Sequence, residues 1–354
     1  MNSHERFRRM FAHQEADRVP IIDLPWDATI ERWQQEGMPA NVSYVDYFDL
    51  DQYVSPRLTD NSPRFPVQIL KETETDIVAT TEWGVTTRQW KHAASTPEFL
   101  THTITGPDEW RKAKERITPS RDRVNWALLK REYKQWREAG AWIAPIAWFG
   151  FDVTHSWMVG TERVLLALAE DPDWIVDMWR TELEMELALL EMVWQEGYTF
   201  DSLFWYDDMG YKQNQFFSMR MYRNLLKPFH QKAIDWAHAH GIPAHLHSCG
   251  DVRPFVPELV QMGLDALNPL EVKAGMDPCL LKQQFGDKLV FHGGVNAVLW
   301  DQPEAIQAEM QRVIPVMKEN GGYIFSSDHS VPSSVSLEDF RAIVALAKQL
   351  GSYA

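Results

Sequence analysis

Cysteine is scarce: the 354-residue chain has two, Cys249 and Cys279. Two thiols cannot staple a chain of this length, so a disulfide framework is excluded and each thiol must be asked what it does singly. A dense lysine or arginine run is also missing. With 35 basic residues against 50 acidic ones and a formal net charge of −15, the chain is a poor match for nucleic acid or an anionic membrane surface. No apolar run approaches the roughly 20 residues of a membrane span. The opening Met1-Asn2-Ser3-His4-Glu5-Arg6-Phe7 has no signal-peptide core, which makes the cytoplasm the expected compartment. Low-complexity linkers are absent, and so are internal repeats beyond a strand–helix alternation.

Tryptophan, by contrast, is abundant, with 16 residues. Several follow strand ends: Trp26, Trp148, Trp157 and Trp205. Core packing or a dimer interface accounts for such residues, and so does a wide pocket for an apolar or aromatic substrate.

Hydrophobic content of 45% and charged content of 24% are those of an ordinary globular protein. An N-terminal helix is predicted over 5–17, then a short buried strand over Val19-Pro20-Ile21-Ile22-Asp23-Leu24. Residues 52–106 differ from the rest. Val67–Leu70, Asp76–Thr80 and Val85–Trp90 predict a β-rich insertion or lid, with short strands and tight turns. From Trp142 onward strands and helices alternate with short connections, which argues a parallel sheet. Strands are predicted at 142–148, 202–206, 243–247, 265–269, 289–293 and 322–326, with helices between them. Phe151-Asp152 is expected in a loop, and Ser336 with Asp339 three residues on has capping-box spacing. An eighth strand is expected between 50 and 100. Eight strands close a distorted (β/α)8 TIM barrel, and the whole chain, 1–354, is expected to form that one domain.

Polar and metal-capable residues gather after the strands: Asp23, Asp152, Asp207, Asp208, His247, Cys249, Glu271, His292, Asp328 and His329. In a parallel barrel all these exits open on one face, where active sites sit. The sharpest stretch is Ala244-His245-Leu246-His247-Ser248-Cys249-Gly250-Asp251. Residues two apart on a strand share a face, so His245, His247 and Cys249 can look the same way. Imidazole and thiolate are zinc's preferred ligands, and three protein ligands plus an open position make a catalytic site. A third ligand is available from Asp328 or His329, or from Glu271, Asp207 or Asp208. The bland counterpart is a satisfied histidine beside an inert thiol. Glu271 also reads as a rim carboxylate, and Cys279 as packing. Asp207 and Asp208 are adjacent and so point opposite ways, one into the barrel and one toward the next helix. His292-Gly293-Gly294 reads as a tight turn or as close backbone approach to a ligand.

Together these segments resemble the uroporphyrinogen decarboxylase superfamily. The resemblance runs from Glu5-Arg6-Phe7 and Asp17-Arg18-Val19-Pro20 through Asp207-Asp208-Met209-Gly210, His245-x-His247-x-Cys249-Gly250-Asp251 and Asn268-Pro269-Leu270-Glu271. It ends with Gly293-Gly294-Val295-Asn296, Gly321-Gly322-Tyr323 and Ser326-Ser327-Asp328-His329-Ser330-Val331-Pro332. It implies a distorted (β/α)8 barrel and a homodimer. No arginine follows Arg18 where the decarboxylase grips substrate carboxylates, which points to the other branch, the zinc-dependent, cobalamin-linked methyltransferases.

That branch implies a Zn2+ site beginning with His247 and Cys249. Where its third ligand, a cysteine, is expected, this chain reads Ser326-Ser327-Asp328-His329, so Asp328, or else His329, is the expected substitute. The expected function is methyl transfer from a small methylated, most simply methoxylated, substrate to a corrinoid carried by a partner protein. His329, Asp208, Asp207 and Glu271 are the expected catalytic groups. Asp23, Trp26, Trp148, Trp205 and His292 are expected to line the substrate pocket. A metal-free decarboxylase or lyase acting on a small acid is the alternative, and a non-catalytic binding barrel is a third class.

Overall fold

A barrel strand needs a hydrogen-bonded neighbour on both sides, and the described residues provide eight such strands. The computed structural model describes residues 1–91 and 96–353. Segment 19–22 pairs on one side with the last strand: Ile21 bridges Phe325 in parallel, and Ile22 N–H donates to Phe325 O at 3.0 Å. On its other side Asp51 N–H donates to Ile21 O at 2.9 Å, leading into Tyr53–Val54. Tyr53–Val54 pairs in parallel with Trp142–Ile143. Beyond Ala144-Pro145 the same stave resumes as Ile146–Trp148, which pairs with Leu203–Tyr206. Ala244–His247, Ala266–Asn268, Val290–His292 and Tyr323–Ile324 follow, each parallel to the one before. The expected eighth strand is thus Tyr53–Val54, too short to carry a sequence periodicity of its own. The staves of only two or three residues, and the break at Pro145, are the distortion.

The antiparallel sheet lies inside the expected 52–106 segment. Its strands are Ile69–Glu72, Asp76–Thr80, Val85–Trp90 and Glu98–His102. The start of that segment, Tyr53–Val54, belongs to the barrel instead. Positions 92–95 and Ala354 lie outside the described residues.

Alternation along each stave sorts side chains into two layers. Phe204, Ala266, Val290 and Ile324 turn inward with Phe7, Ile22, Trp142 and Ala144 to fill the barrel. Phe7 comes from the N-terminal helix Ser3–Phe11, whose Phe11 ring stacks on Trp142 at 5.1 Å. That helix closes the end where the strands begin and leaves the opposite end open. Leu203, Trp205, Leu246 and Leu267 turn outward against the helices. Asp51 locks the first stave to the second. It accepts from Arg6 Nη1 and Arg18 Nη1, both at 2.6 Å, and from Ile21 N–H at 2.8 Å.

Helix ends follow local chemistry. Ser336 Oγ accepts from Asp339 N–H at 3.0 Å and starts Leu337–Gly351. The expected loop around Phe151-Asp152 is instead a helical turn continuing as a π-helix, Val153–Met158. Phe151 is fully buried there and stacks on His155 at 4.4 Å. Among the described residues no helix is long and apolar enough to cross a membrane.

Candidate active site at the barrel mouth

The open end holds a cavity of about 500 Å³, a size suited to a small-molecule ligand. His247 ends one stave, and Cys249 sits in the turn after it. Their facing atoms, Nε2 and Sγ, are 3.3 Å apart. Asp208 reaches the same point from the exit of the preceding stave. Its Oδ1 accepts from Cys249 N–H at 2.7 Å and lies 3.7 Å from His247 Nε2. One ligand atom from each of Asp208, His247 and Cys249 falls within 4.8 Å of the others.

Strand register fixes the imidazole. His247 pairs with Asn268 on the next stave, and its Nδ1 stands 2.5 Å from Asn268 Oδ1. Asn268 Nδ2 donates to His292 O at 3.1 Å, which orients the amide. His247 therefore carries a proton on Nδ1, and in the neutral ring the lone pair is at Nε2, toward Cys249 and Asp208. Tyr206, the register partner on the other side, packs its ring 4.5 Å from the imidazole.

Gly250 makes the turn. Its φ is +81°, and a Cβ there would lie 2.2 Å from the carbonyl carbon of Gly210, so only glycine fits. Glu271 holds this turn from behind, its Oε2 accepting from Gly250 N–H at 2.6 Å. His292-Gly293 is a backbone approach of the same kind. A Cβ on Gly293 would meet Pro269 O at 2.2 Å, so the close neighbour is protein rather than ligand.

The electrostatics favour a cation. Burial pushes the Cys249 thiol well up, and the carboxylates of Asp208, Glu271 and Asp152 push it further. Burial also raises Asp152, with Asp208 and Asp207 adding to the effect. A divalent ion reverses this balance by stabilising thiolate and carboxylate together. Carboxylate, imidazole and thiolate in one cluster make a donor set that zinc accepts, so these residues fit the metal that the sequence suggests.

The other expected residues divide between the cavity and elsewhere. Asp23 lines the cavity, where Ser327 Oγ donates to its Oδ1 at 2.7 Å and Ser327 N–H to its Oδ2 at 2.8 Å. Burial pushes its carboxyl up to about 7 despite those bonds. Trp26, His292 and His329 also line the cavity, with His329 exposed on the rim and 6.3 Å from the Trp26 ring. His292 is held neutral, its basicity lowered to about 3 by burial and the nearby His247. His245 shares the inward face but sits deeper, its Nε2 3.3 Å from His292 Nδ1.

Glu271, expected to be catalytic, backs the Gly250 turn and does not line the cavity, and four more expected residues stand outside this group. The Asp328 carboxylate accepts from Val272 N–H at 2.8 Å and Ala297 N–H at 2.7 Å, which turns it away from His247 and Cys249. Asp207 points outward, fully buried, with Oδ2 2.7 Å from His230 Nε2. Trp205 also points outward and stacks on Phe149 at 5.9 Å, because odd positions of Leu203–Tyr206 face the helices. Trp148 stands behind Tyr206 at 5.7 Å instead of on the cavity wall. Cys279 lies half-buried on Pro278–Phe285 against Arg312. Tyr206 and Asn268 were not among the expected site residues. Only their strand register with His247 makes them neighbours, although Asn268 opens a segment that carries the resemblance.

Comparison with known proteins agrees with this architecture. Residues 147–350, more than half of the chain, match the family model "Uroporphyrinogen decarboxylase (URO-D)". A uroporphyrinogen decarboxylase of Vesicomyosocius okutanii subsp. Calyptogena okutanii (strain HA) is 32% identical over 65 residues. That stretch is 18% of this chain and spans only 19% of the curated relative. The solved structure of a methyltransferase from Methanosarcina mazei superposes with a TM-score of 0.69 at 17% identity, covering 100% of both chains; at that identity the likeness is one of fold. The chain belongs to the uroporphyrinogen decarboxylase (URO-D) family.

Proposed function

We propose that this protein is a zinc-dependent methyltransferase. It would take a methyl group from a small methoxylated substrate, with a corrinoid on a partner protein as acceptor. The observation that carries the reading is the convergence of Asp208, His247 and Cys249 at the barrel mouth. The fold shared with a methyltransferase from Methanosarcina mazei supports it. When bound, the ion supplies Lewis acidity to a substrate oxygen.

The chain's own groups do the rest. Asn268 holds His247 in the tautomer that offers Nε2. Glu271 and Gly250 set the turn that presents the Cys249 sulfur. Phe204 and Tyr206 offer ring faces along the cavity against which the substrate would pack. As the methyl group departs, the C–O bonding pair stays on the substrate oxygen, which then needs a proton. Asp23, with its carboxyl near 7, is the wall group suited to deliver it, and His329 on the rim is placed to relay a proton from solvent. In this reading Asp208 belongs to the donor set, while Asp207 and Asp328 hold backbone and core.

Elemental analysis of purified protein tests the proposal. About one zinc per chain is expected from three donors and one open position, lost in Cys249→Ser, together with zinc-dependent methylation of a reduced corrinoid by a methoxylated donor. No metal in either protein, with release of carbon dioxide from a small acid, would replace it with the metal-free decarboxylase reading.

A further inference from the structure

Among the described residues, no lysine or arginine lines the cavity. Its carboxylates are Asp23, Asp51 and Asp208. Asp51 is neutralised by Arg6 and Arg18, each at 2.6 Å, so those guanidinium groups are committed. Lys273 is likewise tied to Glu271 at 3.2 Å. The two charges of a divalent ion on the donor set would be matched by the Asp208 carboxylate and the Cys249 thiolate. Burial lowers the basicity of the wall histidines His292 and His329, so neither is charged at about pH 8. Among the described residues no positive charge is then left over for an anionic ligand, and a buried carboxylate without a partner is strongly disfavoured.

A cationic ligand fares little better. Asp51 is paired, Asp208 is in the donor set, and the Asp23 carboxyl, pushed up to about 7, is only partly charged near neutral pH. What the wall does offer is ring faces, from Trp26, Tyr53, Phe204 and Tyr206.

Resting on the methyltransferase reading above, we propose that the cavity selects an uncharged aromatic methyl ether and rejects its carboxylate-bearing counterpart. The selection is by exclusion: the acid brings a charge that the wall leaves unpaired, whereas the two ligands share ring and ether.

Calorimetric titration of the full chain, supplemented with zinc, tests this with 2-methoxyphenol and 4-hydroxy-3-methoxybenzoate. At about pH 8 the first is neutral and the second ionised. The phenol is expected to bind about tenfold tighter. Equal or tighter binding of the acid overturns the proposal, and so does binding of neither. Ser330→Lys adds a cation to the wall and is expected to tighten acid binding about tenfold, with the phenol unchanged. If the acid gains nothing in that variant, charge is not the selector. Binding is read without turnover, so a failure of methyl transfer would count against the proposed function and leave this selectivity standing.

Discussion

His247 Nδ1 lies 2.5 Å from Asn268 Oδ1, and Asn268 Nδ2 reaches across to His292 O at 3.1 Å. Three neighbouring staves thereby fix one imidazole nitrogen as the donor at the barrel mouth. If zinc binds here as proposed, removing the orienting partner should matter as it does for metal-bound histidines in general. Asn268→Ala is expected to weaken zinc affinity by roughly 10–100-fold with the fold retained. Competition with a chromogenic chelator, alongside circular dichroism, measures both.

Asp207 and Asp208 separate into different roles. The Asp207–His230 pair is fully buried between sheet and helices, and breaking a buried pair leaves one partner uncompensated. Asp207→Ala should cost roughly 3–5 kcal/mol in denaturant unfolding and leave the metal content of the folded fraction unchanged. Asp208→Ala should do the reverse, losing metal with a small change in stability.

Glu186 predicts a pH dependence. Its side chain is fully buried, accepts from Thr59 Oγ1 at 2.5 Å, and leaves Oε2 without a partner among the described residues. Burial raises its carboxyl from 4.5 to about 8. The folded state keeps this proton where the unfolded chain has released it. The stability it supports is therefore complete below its unfolded value and is lost as pH rises toward about 8. Glu186→Gln should flatten that decline, with a gain on the order of a few kcal/mol at the alkaline end. Thermal melts of both proteins across this range would show it, and parallel curves would refute it.

Gly250 cannot be replaced cheaply. Its left-handed φ and the 2.2 Å approach to the Gly210 backbone give an added methyl group no room. Gly250→Ala is expected to lose roughly 2–4 kcal/mol and, in whatever remains folded, to lose zinc through displacement of Cys249. Unfolding and metal analysis of one preparation test both.

The fold was largely legible because strand–helix alternation is a local pattern. The regular run from Trp142 onward announces parallel staves, and the capping pair Ser336 and Asp339 marks the last helix. Tyr53–Val54 was legible only as a missing member of a closed ring. Two residues carry no periodicity, and this stave exists because Ile21 and Trp142 flank it. The helical turn at Phe151 was hidden for a related reason: its apolar residues are buried against distant Phe216 and Phe217.

At the site, sequence determined which residue types leave the strands, and that His247 and Cys249 stand two apart. It also determined that adjacent Asp207 and Asp208 must diverge. Tertiary structure decided which of them faces the mouth, and that Asp208 rather than Asp328 comes together with His247 and Cys249. It also decided that Trp205 packs outward while Tyr206 lines the wall. The physical reason is that alternation fixes relative direction within a strand but leaves its absolute sense open. Only barrel closure, and the register of His247 against Tyr206 and Asn268, sets which face is inside.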